Sequence, residues 1–273
     1  MRRFDVGALP PEMESVEPAP DEGSVAAGTK RRLFFDWHDL VIPGLSAAAL
    51  GGLALYLRAA DLSPLVRTTV SFEALRQRTI EHVQLSLVVT LLVLLIAVPL
   101  GVAVTRPRLR WMSPGVLAVA NAGQAVPNIG LIALIGIAIA VGFWAVVAAL
   151  VAYAVLPVLR NTIVGIEQVD KGVLDAALGM GMSPWGILRR VELALAVPVI
   201  AAGARTALVL AVGTVAVGDF IGAGGLGDQV FVGIKLNRPP VLFTGALLIA
   251  VLALLLDWIG GIIERVLTPQ GIR

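Results

Sequence analysis

The chain has 273 residues, of which 58% are hydrophobic and 15% charged, with a mean hydropathy of +0.89. Soluble domains are nearer half apolar and a quarter charged, so the composition points to an integral membrane protein. A formal net charge of +2 is too small for a nucleic-acid footprint, the absence of Cys excludes disulfides and thiol chemistry, and His38 and His82 are too few for a His-based metal site.

Residues 1–36 stand apart, with five positive charges (Arg2, Arg3, Lys30, Arg31, Arg32), seven negative ones and four prolines. Such a segment is expected to be a disordered cytosolic tail. It is not expected to be a signal peptide, because no apolar run follows Arg2 and Arg3. Six windows are then long and apolar enough to cross a bilayer. The first, 39–58, lies within an N-terminal segment 37–60 and is weakened by Gly44, Gly51 and Gly52. The second, 80–104, contains Pro99. The third, 113–137, carries Asn121, Gln124 and Asn128 around Pro127; helical spacing puts these three on one stripe, facing either a pore or a neighbouring helix. The fourth, 142–165, contains Pro157. Each of these prolines frees a backbone carbonyl that a neighbour or water must satisfy.

The polar segment 166–193 is far longer than a membrane turn requires. Asp175–Leu178 suits a short helix that Gly179 and Gly181 would end, after which Ser183 suits the N-cap and Pro184 the first position of a second helix. This helix–glycine–helix displays Met180, Met182, Trp185 and Leu188 beside Arg189 and Arg190. Two readings stay open: a docking surface, since Met and Trp suit irregular interfaces, or an amphipathic helix on lipid headgroups. The fifth span, 194–218, holds Pro198 and Arg205, and the sixth, 240–263, holds Asp257; at membrane depth Arg205 either pairs or snorkels, or serves a gate or pathway, and Asp257 is expected to pair with a basic neighbour near the cytosolic end. Between them, "FIGAGGLGD" is expected as a compact re-entrant turn with Asp219 and Asp228 at its ends. It is not a nucleotide loop, because no soluble strand–turn–helix frames it, and no GxxxxGK[ST] occurs in the chain.

Lys and Arg set the orientation. With the N-terminus inside, fourteen fall in cytosolic segments (the tail, Arg106, Arg108, Arg110, Arg160, Lys171, Arg189, Arg190, Arg265 and Arg273), and six (Arg58, Arg67, Arg76, Arg78, Lys235, Arg238) fall outside. The positive-inside rule therefore puts both termini and the segment 166–193 in the cytosol.

The segment 166–193 also resembles the "EAA" loop of permease subunits of binding-protein-dependent ABC importers. Asp175-Ala176-Ala177, Gly181 at the same spacing, and Val191-Glu192-Leu193-Ala194 follow that pattern, with Ala194 replacing its proline. The likeness runs over 78–265 and includes "QAVPNIGLIALIG", "LPVLRNTIVGI" and "FIGAGGLGD", a set most similar to permeases for glycine betaine, carnitine and choline. The resemblance implies an all-α membrane protein: a five-helix core like that of type I ABC importers, plus one N-terminal span, in the bacterial cell membrane. It implies coupling helices that dock on a separate ATP-binding subunit through Asp175, Ala176, Ala177, Gly181, Met182, Pro184, Trp185, Arg189 and Arg190. ATP and Mg²⁺ would bind that partner, and this chain would hold no cofactor or metal and have no catalytic residue. It further implies a second permease, identical or similar, and an extracytoplasmic binding protein docking near Asp219, Gly222, Gly224, Gly225, Gly227 and Asp228. Asn121, Gln124, Pro127, Asn128 and Arg205 are candidates for the pathway. The fifteen aromatics are scattered, so a cation–π cage for a quaternary ammonium is expected on the receptor. A methionine-type importer is the nearest alternative. An ion-coupled secondary transporter would need inverted repeats and buried carboxylates that the sequence lacks.

Overall fold

The computed structural model describes residues 37–268 except residue 140, so the expected tail at 1–36 lies outside the described residues. Every regular element among the described residues is helical. The elements are α1 (Val41–Ala59), α2 (Pro64–Thr69), α3 (Phe72–Thr105), α4 (Ser113–Ala125), α5 (Asn128–Ala138), α6 (Phe143–Glu167), α7 (Lys171–Gly179), α8 (Pro184–Ile187), α9 (Leu193–Gly218), α10 (Gly227–Lys235) and α11 (Pro239–Leu267). Among the described residues, five helical segments are long and apolar enough to cross a membrane, and the bent pair α4–α5 makes a sixth if counted as one span.

Residues on α3 show why these helices belong in lipid. Leu85, Val89, Val93 and Ala97 recur every fourth residue and are buried, while Leu87, Leu91 and Leu95 on the opposite side are exposed. A helix that is apolar all round needs an apolar solvent. α6 is the centre of the bundle, packing against α3, α4, α5 and α9. Its buried Val146, Leu150, Ala154 and Val158 meet the α3 stripe and Ala207, Ala211 and Val215 of α9. Small residues let these helices approach: an added Cβ at Gly165 would lie 3.2 Å from the Ala196 side chain, and one at Gly203 would lie 2.8 Å from Asn161 Cβ. Close backbone approach is the usual basis of helix association in membranes.

The third expected span is corrected. It is two helices meeting at 98°, not one rod. Pro127 supplies no N–H and forces Val126 into an extended conformation (ψ 131°), and Asn128 Oδ1 then accepts from the Ile129 N–H at 2.7 Å. The stripe expected through Asn121, Gln124 and Asn128 is therefore broken, with Asn128 opening a different helix. α3 also begins eight residues before the expected 80. Ser71 caps it, its Oγ accepting from Ala74 N–H at 3.4 Å, and its first turns carry Glu73, Arg76, Arg78 and Glu81 beyond the apolar run. α1 packs along α11, where Tyr56 meets Phe243 edge-on and Arg265 forms a two-pronged bond to Asp39 (2.7 and 2.9 Å).

Candidate functional site

The segment between α6 and α9 is a rigid hairpin of helices, built by local chemistry. Asp170 Oδ1 accepts from the N–H groups of Gly172 (2.8 Å) and Val173 (3.2 Å) and so caps α7. At the other end Met182 N–H donates to Ala177 O and Gly181 N–H to Leu178 O, the paired bonds of a Schellman cap. That cap needs a left-handed residue, and Gly181 has φ 80°. Ser183 Oγ then accepts from Gly186 N–H at 3.2 Å, with Pro184 at the first helical position. The expected helix–glycine–helix is present, and Asp170 is a further capping residue, for which an Asp just ahead of a helix is the usual sequence signal.

The hairpin leaves apolar side chains in the open. Met180 is 76% and Trp185 65% exposed, with Val173 and Leu178 also exposed. Arg189 Cζ sits 5.9 Å from the centre of the Trp185 ring, and Met182, Ser183, Trp185, Gly186, Arg189 and Arg190 line a cleft of about 460 Å³. Of the nine expected docking residues, Asp175, Ala176, Gly181, Pro184, Trp185, Arg189 and Arg190 are exposed, and Met182 is half-buried. Ala177 is buried, so it serves the hairpin from within, under the Schellman cap. Leu188, expected on display, is also buried and anchors the hairpin beside Ile187.

The exit has no break. Residues Leu188–Glu192 form a π-helical turn that joins α8 directly to α9. Where the resembling family has proline, Ala194 lets the helix run through. Arg106, just past α3, donates to Glu192 Oε2 at 2.6 Å, and Arg110 reaches Glu167 at 3.4 Å. Neither contact was legible in the sequence, since the first joins residues 86 apart and the second residues 57 apart.

The other end of the bundle holds the glycine loop. Gly222, Gly224 and Gly225 are left-handed, and the Gly225 N–H donates to Glu81 Oε2 at 3.2 Å. Arg78 is ion-paired with Asp228, His82 Nε2 lies 2.9 Å from Val212 O, and Gln229 Nε2 donates to Thr69 O at 3.0 Å. The loop is thus sewn to the start of α3. Of the six expected receptor-side residues, Gly225 and Gly227 are buried, Gly222 is exposed, and Asp219, Gly224 and Asp228 are half-buried.

Arg205 and Asp257 pair with each other through two bonds of 2.6 and 2.7 Å, and Glu264 adds a third at 3.5 Å. The aliphatic stem of Arg205 lies over Gly260 and its guanidinium over Gly261. Arg160 donates to Asn121 Oδ1 at 2.9 Å, while Gln124 and Asn128 stay half-buried on either side of the bend.

A bundle of membrane helices carrying one rigid, exposed hairpin, in a chain without a nucleotide loop, has the form of a permease driven through a contact made outside the bilayer. The chain belongs to the family "Binding-protein-dependent transport system inner membrane component", whose model matches residues 97–268. It is the multi-pass permease component of an ABC transporter, not the ATPase. Among its relatives in Bacillus subtilis (strain 168), the glycine betaine/carnitine/choline transport system permease protein OpuCB is 38% identical over 196 residues, covering 72% of this chain and 89% of the relative. The choline transport system permease protein OpuBB is 39% identical over 196 residues with the same coverage. An inward-facing structure of the MetNI methionine ABC transporter matches 76% of this chain and all of its own, with TM-score 0.64 and 25% identity. The expected all-α importer-permease fold is the one found.

Proposed function

We propose that this chain is the permease of an ATP-driven importer for quaternary-amine osmoprotectants such as glycine betaine, carnitine and choline. The observation that carries the reading is 38–39% identity, over 72% of the chain, to permeases named for those solutes. Both termini and the α7–α8 hairpin face the cytosol. In support, Arg106–Glu192, Arg110–Glu167 and Arg265–Asp39 each join elements assigned to that side by charge, while Arg78–Asp228 joins elements assigned to the other.

The hairpin docks on a separate ATP-binding subunit, with Met180 and Trp185 as anchors and Arg189 and Arg190 at the rim. ATP and Mg²⁺ bind that partner. Its closure displaces the hairpin, and α9 and α3 move with it through the π turn and the Arg106–Glu192 bond. This biases a second-permease assembly between inward-open and outward-open states, as a ligand of unequal affinity biases any two-state element. An extracytoplasmic binding protein supplies the selective site and docks near Asp219, Gly222 and Gly224. The Arg160–Asn121 pair, Gln124, Pro127 and Asn128 at the bend, and Arg205 contribute to the pathway.

Uptake of labelled glycine betaine and of methionine at raised osmolarity, in the host with and without this gene, tests the solute. Selective loss of betaine uptake is expected; selective loss of methionine uptake keeps the architecture and overturns the substrate. Trp185→Glu is expected to reduce betaine uptake at least about tenfold, a charge at an anchor that docking would bury costing ~2 kcal/mol, with membrane content unchanged. Normal uptake by that variant rejects the docking role.

A further inference from the structure

We infer that the groove between α3, α4 and α6 is a binding site for an anionic phospholipid of the cytosolic leaflet. The groove has two adjoining parts of about 910 and 480 Å³ that share Ile96, Ala152 and Val155. No side chain lining either part is charged; the walls are aliphatic residues such as Leu100, Val116 and Val119. The groove exists because its floor is small: a Cβ at Gly123 would strike the Ala152 carbonyl at 2.6 Å, and one at Gly115 would meet nothing within 4 Å. Trp111 lines one end and Trp144 the other, 78% and 71% exposed. Indoles at both ends of an apolar track are the interfacial anchors of a membrane-spanning surface.

Charge selects the ligand. Arg108 and Arg110 lie within three residues of Trp111 and are exposed. Arg108 has no carboxylate partner among the described residues, and Arg110 holds only a 3.4 Å contact to Glu167 while 72% exposed. Two exposed guanidinium groups on the turn that leads into Trp111, which lines the aliphatic groove, match a phosphate headgroup followed by an acyl chain. Placing that mouth at the cytosolic leaflet rests on the orientation proposed above; the binding itself does not.

The test is native mass spectrometry of the purified transporter in neutral detergent, with phosphatidylglycerol and phosphatidylcholine of identical acyl chains added in equal amounts. This readout is independent of orientation and of the transported solute. The wild type is expected to retain phosphatidylglycerol over phosphatidylcholine by roughly tenfold, as two basic groups near an anionic headgroup allow. Arg108→Gln, which breaks no ion pair, is expected to cut that preference several-fold, and Gly115→Leu, which has room for its side chain, to lower retention of both lipids. Equal retention of the two lipids by the wild type, or wild-type retention by Gly115→Leu, overturns the proposal. So does Val119→Cys forming disulfide-linked dimers in high yield in this Cys-free chain, because a second copy would then occupy the groove.

Discussion

At the α7–α8 hairpin, Gly181 turns the chain in open space, and the side chains around it, Met180 and Trp185 above all, remain exposed. In the glycine loop after α9, a Cβ at Gly227 would run into the Ala216 carbonyl, and Leu226 and Gln229 are fully buried. The two segments look alike as strings of Gly and apolar residues. In the first, glycine is needed for a dihedral angle, and what it buys is a fixed shape with a free surface. In the second, Gly222, Gly224 and Gly225 also supply left-handed dihedral angles, but Gly225, against His82, and Gly227, against Ala216, are needed for space as well, and the result is a seam that holds α9, α10 and the start of α3 together. A glycine-rich motif therefore does not by itself mark a surface; what the missing side chain would meet decides.

Substitutions should separate the two kinds of glycine. Gly227→Val is expected to do the most damage, about 3 kcal/mol or more, because backbone rather than a flexible side chain is in the way; the reading is loss of folded protein by size-exclusion chromatography in detergent. A melting temperature within a few degrees of wild type would erase the contrast. Gly181→Ala should cost only about 1–2 kcal/mol, the strain of a left-handed residue with room around it, while membrane content stays normal. Asp170→Ala, removing the α7 cap, is expected to cost about 1 kcal/mol and to raise hydrogen exchange at Gly172 and Val173 without altering the rest of the bundle. Asp228→Asn should have the smallest effect, ~0.5 kcal/mol in thermal melting, since its pair with Arg78 is a quarter to a third exposed.

Local pattern made much of this legible in the sequence. Apolar runs placed the spans, and Ser183-Pro184 with Gly181 described the hairpin to within a residue or two, because caps and left-handed turns are decided by neighbours in the chain. The failures have a common cause. Pro127 was read as a kink in one span, but the size of a bend depends on what packs around it; here α5 turns through 98° and lies against α6 and α9. The pairing of Arg205 with Asp257 is invisible to local pattern, since the two lie 52 residues apart. The π turn at Leu188–Glu192 left no compositional trace, since its residues are ordinary helix formers.

From Pro184 to Ile221 the chain is one helical segment of 38 residues, roughly 55 Å long at the α-helical rise. One end carries the exposed tryptophan, and the other runs into the glycine seam. Between Trp185 and Asp219 no loop interrupts the helix, so if the hairpin docks as proposed, a displacement at Trp185 would pass along helix all the way to the glycine seam. Within that span Pro198 removes one hydrogen bond and the π turn loosens the winding, so these are the two places where the rod can yield. How much of such a displacement survives the passage would be set there, by the stiffness of a few turns of helix.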